Sequence, residues 1–261
     1  MSDPDKATRD RRRHETLRRR GRRRVAIVAA TVGVIAVSQW LGRTAGSTNA
    51  ERRQPLPGDE LIDHPTVVTN HAATIPVPPD QVWPWLVQMG WHRGGWYTPR
   101  FIDRLLFPGN WPSATQLVPE LQCPLQVGDR IPDGPPGTAW FVVERVDPSK
   151  LLVLHSTTHL PGSWRARWGA AIDWSWTFTL VGSGDGGTRL LLRVRGRTRP
   201  WWLTATYVAA LIPADYVMAP GMLAGIRRRA TPSTGWRSRA GVLDEQTNTA
   251  KTSRRQAAWP F

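Results

Sequence analysis

The chain has 261 residues, 40% of them hydrophobic and 21% charged, a globular balance that excludes disorder over most of its length and suits one domain with appendages. Its formal net charge is +15, from 35 Lys and Arg against 20 Asp and Glu, and it carries 15 Trp beside only 3 Tyr and 5 Phe. A single cysteine, Cys123, excludes an intrachain disulfide framework and any cysteine-rich zinc site.

The charge is concentrated at the two ends. Residues 1–24 hold eleven bases and four acids, and residues 230–261 hold five bases and two acids, so ten of the fifteen net charges fall there. A fold that reads nucleic acid carries its basic stripe on the folded part, so no nucleic-acid partner is expected. Both ends lack apolar periodicity and are expected to be disordered. The Arg-rich arm 1–24 suits a topology signal, and anionic lipid headgroups are its candidate partner.

At residue 25 the composition inverts. Residues 25–42 contain no charge over 18 positions, about the least that crosses a bilayer as a helix, and Trp40 stands where an interfacial aromatic would. Ten arginines precede this run and only Arg43, Arg52 and Arg53 follow closely, which puts the N-terminus of a single-pass membrane anchor in the cytoplasm. Two alternatives stay open: a cleavable signal peptide whose secreted product starts between Ser47 and Glu51, and a buried core helix. Residues 43–63 mix Gly, Pro, Thr and charges and read as a linker.

The folded domain is expected over residues 64–229. Residues 66–75 are rich in β-branched side chains and read as a strand, closed by Pro76, Pro78 and Pro79. Pro79 opens a helix that carries Val82, Trp83, Leu86, Val87 and Met89 at helical spacing and ends at Gly90; a second short helix is expected over 99–107. Then the period changes. Residues 127–131, 139–146, 151–156, 172–181 and 188–197 are short runs divided by Pro, Gly and Asp turns, the pattern of antiparallel strands.

Two of these runs show which side is buried. Ile172, Trp174, Trp176, Phe178 and Leu180 alternate with Asp173, Ser175, Thr177 and Thr179, so one face is apolar. Leu190, Leu192 and Val194 alternate with Arg189, Arg193 and Arg195, which predicts a half-solvated strand. Residues 201–226 contain one charge, Asp215, and lead into Arg227, Arg228 and Arg229, cations suited to a helix C-terminus; Pro213, Pro220 and Gly221 are expected to kink or break this helix. A second membrane span is the alternative, opposed by Asp215 and the prolines. A sheet apolar on one face needs a cover, and this helix is the only long one left to supply it. The fold class is therefore α+β: an antiparallel sheet, two short helices, a long C-terminal helix and the N-terminal hydrophobic helix.

Five runs carry a resemblance to a known group. PLPGDELI at 55–62, PPDQVWPWLVQMG at 78–90, RGGWYT at 93–98, LVPELQCPLQVGDRIPDGP at 117–135 and IPADYVMAPGMLAGIRRRA at 212–230 resemble, in that order, actinobacterial members of the SRPBCC superfamily. This START-like group is often described as polyketide cyclase/dehydrase or lipid-transport-like. The resemblance spans about residues 56–230 and implies a helix-grip fold, a curved sheet gripping its C-terminal helix around an apolar cavity. It also implies a hydrophobic or amphipathic ligand. One departure is that Ala219, Pro220 and Gly221 stand where members usually carry charged residues, which puts helix continuity there in question.

No set of titratable groups announces an enzyme. His14, His64, His71, His92, His155 and His159 show no metal-ligand spacing, and no GxSxG, P-loop or dinucleotide fingerprint occurs, so neither metal nor cofactor is expected. His155 ends an apolar strand and is the catalytic candidate, as an acid–base group facing a cavity or else a plain edge residue. Asp173 lies on the face opposite the tryptophan stripe, toward solvent. The richer signal is aromatic and methionine surface. Trp96, Tyr97, Trp140, Trp174, Trp176, Tyr207, Tyr216, Met218 and Met222 are the ligand-binding candidates, with ordinary core packing as the alternative. Three functions compete: binding or transport of a hydrophobic small molecule near a membrane, a cyclase- or dehydratase-type enzyme, and membrane-surface or nucleic-acid interaction through the arm.

Overall fold

The computed structural model describes residues 23, 26–106 and 108–231. The expected disorder of arm and tail therefore concerns residues that lie, except for Arg23, Ala230 and Thr231, outside the described ones.

The strands are β1 (Val67–Ile75), β2 (Arg130–Pro132), β3 (Trp140–Asp147), β4 (Leu151–Ser156), β5 (Ala171–Gly182) and β6 (Thr188–Arg199), joined in one antiparallel sheet of order β1-β6-β5-β4-β3-β2. Period-two alternation sets the register. Trp176 faces Val194, Phe178 faces Leu192 and Leu180 faces Leu190, so β5 and β6 present their apolar side chains to the same face. The β5–β6 turn closes because Asp185 accepts from the Ser183 hydroxyl and the Gly187 N–H, and Gly186 takes a left-handed φ of 81°. A register shift between Val143 and Arg145 puts a bulge in β3, which bends that side of the sheet.

The helices are α1 (Ala26–Thr44), α2 (Asn49–Arg53), α3 (Pro79–Val87), α4 (Arg100–Leu106), α5 (Gly162–Trp168), α6 (Trp201–Thr206) and α7 (Ile212–Ala230), with a π-helical segment Tyr207–Leu211 joining the last two. Pro213 has no N–H to return to the Ala209 carbonyl, and the widened turn lies just before it. The expected break at Pro220 and Gly221 is corrected, because α7 runs through both. Gly221 and Gly225 let it sit close: a Cβ on Gly225 would lie 2.0 Å from the Tyr97 carbonyl oxygen, and one on Gly221 2.6 Å from Pro99 Cδ. Met222, Leu223 and Ile226 are buried by this seat. The short helix α5 lies between β4 and β5, where no element is expected from the sequence.

Two helical stretches, Ala26–Thr44 and Trp201–Ala230, are long and apolar enough to cross a membrane. They differ in what they bury. The second covers the sheet through α7, whereas α1 leaves Val28, Val32 and Ile35 exposed and is buried only near its end. There the Gln39 side-chain amide donates to the Val208 carbonyl, and Gly42 lies so close to Ile212 that a Cβ would meet its carbonyl oxygen at 2.0 Å.

The other face of the sheet is covered too, which the half-solvated expectation for β6 missed. Residues 43–63 are tied down by a capping box between Thr48 and Glu51 and then by arginines from β6. Arg189 grips both carboxylate oxygens of Glu51, at 2.7 and 2.9 Å, and holds that carboxyl down at about 2. Arg193 is buried. It bonds Asn70, Asp59 and the carbonyls of Glu51, Arg52 and Gln54, so its charge is fully engaged where no water reaches it.

Candidate functional site

A cavity of about 150 Å³ lies between the apolar face of the sheet and the closing helix. The sheet contributes Val67 and Thr69 from β1, Phe141 from β3, Trp174 and Trp176 from β5, and Val194 from β6. The helix contributes Tyr207, Leu211, Asp215, Met218 and Met222, spaced by three or four residues and hence on one side of it. Trp96, Thr98, Asp133 and His159 come from loops. Trp96 reaches the wall because the chain reverses at Gly94 and Gly95. Gly95 has a φ of 76°, and a Cβ on Gly94 would collide with Gln88. Its ring packs edge-on against Trp176 at 5.4 Å and Phe141 at 6.2 Å. Across the cavity Tyr207 meets Trp174 at 4.8 Å.

The polar groups of this wall form two pairs. Asp133 Oδ2 and His159 Nε2 share a hydrogen bond of 2.8 Å, and His159 Nδ1 lies 2.8 Å from Ser156 Oγ. Asp215 Oδ2 lies 2.8 Å from Nε2 of His71, whose side chain is wholly buried on β1 and whose Nδ1 has no partner, so the Nε2 proton is the one given to Asp215. Burial pushes the Asp133 carboxyl above its usual range, by more than the His159 hydrogen bond pulls it down. The Trp96 indole N–H points toward this carboxylate and helps to lower it, without closing a hydrogen bond. Burial also raises the Tyr207 phenol, and the negative charges of Asp215 and Asp133 add to that. The Thr69 hydroxyl and the Trp176 indole N–H have no partner. The site can thus enclose an apolar body and meet one or two polar groups on it, with Asp133, His159 and Tyr207 in its wall.

Of the sequence candidates, Trp96, Trp174, Trp176, Tyr207, Met218 and Met222 come together on this wall. Four stand elsewhere. Tyr97 has a φ of 59°, which turns it into the core, where its hydroxyl donates to the Trp85 carbonyl. Trp140 lies one position out of phase with Phe141 and points to the other face, under the Arg130 guanidinium. Tyr216 is one step around the helix from Asp215 and faces α1. His155 alternates with Leu154 and Ser156 and projects from the outer face, 2.6 Å from Asp173 and 3.4 Å from Glu144, so the expected acid–base role inside a cavity is not available to it. Asp133, His159 and Asp215 were missed. Each sits in a turn or an apolar helix, and only chain pairing over 26 and 144 residues gives them partners. Among the described residues no cluster of three or more His, Cys, Asp or Glu could hold a metal ion.

No protein-family model matches the chain, and no curated protein matches it. Solved structures similar to it include protein MLL2253 from Mesorhizobium loti, at 20% identity and a TM-score of 0.36 over 62% of this chain and 95% of that one. CalU16 from Micromonospora echinospora shares 17% identity and a TM-score of 0.30 over 62% and 83%. Norcoclaurine synthase from Thalictrum flavum shares 13% identity and a TM-score of 0.37 over 67% and 92%. Likenesses this low assign neither a family nor an activity.

The buried carboxyl of Asp133 has a pH signature. Its folded pKa is raised, so what it contributes to stability is present in acid and is lost as pH rises through the raised value. Asp133→Asn has no such loss. Relative to the parent, the variant is expected to gain unfolding free energy between acidic and neutral buffer. Urea denaturation at the two pH values checks this, and a difference that does not change with pH would contradict it.

Proposed function

We propose that this chain binds a small hydrophobic or amphipathic molecule in the cavity of a helix-grip domain, held at a membrane by α1. The observation that carries the reading is the void itself. Protein interiors are close-packed, and here a space of about 150 Å³ walled by tryptophans, Phe141 and methionines is left out of that packing. A ligand with an apolar body would cover that wall and remove it from water. An apolar cavity of similar size in another protein holds benzene, so a longer lipid- or polyketide-like molecule would place only its end here. The membrane part rests on the bare apolar surface of α1 and the arginines that precede it.

Binding should be visible with aminoanthracene, a fluorescent apolar probe. Saturable one-site enhancement is expected with the full-length chain in detergent, with protein-free micelles as the blank. Met218→Trp, which fills the void from α7, is expected to weaken it by about tenfold or more while the protein stays folded. Absence of saturable binding, or binding that Met218→Trp leaves intact, would count against the cavity.

A second reading, proton transfer on the bound molecule, is favoured by the Asp133–His159–Ser156 chain of hydrogen bonds, which aligns an imidazole between a carboxylate and a hydroxyl. It predicts that the protein accelerates deuterium exchange at the α-carbon of phenylacetone, and that His159→Gln removes most of the acceleration. Exchange at the buffer rate would dispose of this reading.

A further inference from the structure

The chain carries 35 Lys and Arg and a net charge of +15, yet among the described residues no Lys or Arg lines the cavity. The ionisable groups on its wall are Asp133, Asp215, His159 and Tyr207. Each imidazole nearby already has a carboxylate, His159 that of Asp133 and His71 that of Asp215, at 2.8 Å in both cases. The neighbouring arginines are turned away. Arg193 and Arg195 are bound to Asp59 on the outer face, and Arg229 stacks its guanidinium 4.9 Å over the outer side of Tyr97 and donates to the Ala114 carbonyl. Besides the carboxylates, the wall offers polar atoms that lack partners: the Thr69 hydroxyl and the Trp96 indole N–H belong to residues that are almost wholly buried.

We propose that the cavity selects a small apolar molecule whose polar group is neutral or cationic, such as an alcohol, amide or amine, and rejects carboxylates, phosphates and sulfates. The inference rests on the reading of the cavity as a ligand site and adds the class of ligand. An anion entering here would give up its hydration, find no fixed cation, and stand beside two carboxylates. A hydroxyl or amine would instead donate to Asp215 or Asp133, and a hydroxyl or amide could also accept from Thr69 or Trp96. The volume of about 150 Å³ encloses about one ring with a short substituent, so a larger probe such as aminoanthracene seats one end there and leaves the rest at the open side of the cavity.

Three probes of one skeleton separate the possibilities: benzylamine, benzyl alcohol and benzoate, each titrated as a competitor of aminoanthracene on the full-length chain. Benzylamine and benzyl alcohol are expected to displace the probe, and benzoate to need a concentration at least about tenfold higher, the factor that marks a real difference in affinity. In the doubly substituted Asp133→Asn, Asp215→Asn chain the gap is expected to narrow, with benzoate gaining. Benzoate competing as well as or better than the other two on the unaltered chain would overturn the inference, whether or not the variant folds. If aminoanthracene binds but none of the three displaces it, this inference fails and the cavity reading stands. If aminoanthracene does not bind at all, both fall.

Discussion

At Gly225 the backbone of the closing helix touches the Tyr97 carbonyl, and ten residues earlier its Asp215 bonds His71 on β1. The cavity lies between this helix and the apolar face of the sheet, beside those two contacts. At one end, Gly221 and Gly225 remove the side chains that would hold two backbones apart, and Met222, Leu223 and Ile226 fill the remaining gaps. At the other, the Tyr207 ring rests on Trp174, and two aromatic rings hold the chain away from the sheet where aliphatic side chains would have let it settle. The sheet below offers Trp176 and Phe141, which are wide and rigid, and no flexible side chain from the sheet reaches up to close the space.

Charge is sorted across the sheet in the same way. β6 alternates leucines with arginines, and the leucine side meets the cavity layer while the arginine side meets Glu51 and Asp59 in the segment that follows α1. The arginines thereby tie the segment after α1 to β6, which contributes Val194 to the cavity wall. With Arg189, Arg193 and Arg195 committed outward, the ionisable groups of the cavity wall among the described residues are Asp133, Asp215, His159 and Tyr207. The acidity of the cavity is a consequence of where the arginines went, in a protein that is otherwise strongly basic.

Much of this architecture can be read from the sequence. The alternation from Ile172 to Leu180 sets a strand with a tryptophan face, and that face does line the cavity. The run after Pro200 becomes the closing helix. What could not be read depends on phase or on distant pairing. Trp140 and His155 lie one position away from inward-facing residues, and a strand flips a side chain to the other face at every step. Tyr97 looks like a neighbour of Trp96 but its backbone turns it into the core. Arg193 looks exposed because alternation places it opposite the leucines, and its burial depends on a segment about 140 residues earlier in the chain that folds back over it. Asp133 and His159 sit in Pro- and Gly-rich turns that look like connections, and nothing local marks them as partners.

The account stands on an open, apolar interior, and xenon tests that most directly, since it enters dry voids without needing any polar recognition. Crystals of the protein held under xenon pressure should show a xenon atom among Trp96, Trp174, Trp176 and Met222. A filled interior with no xenon between the sheet and α7 would contradict the account.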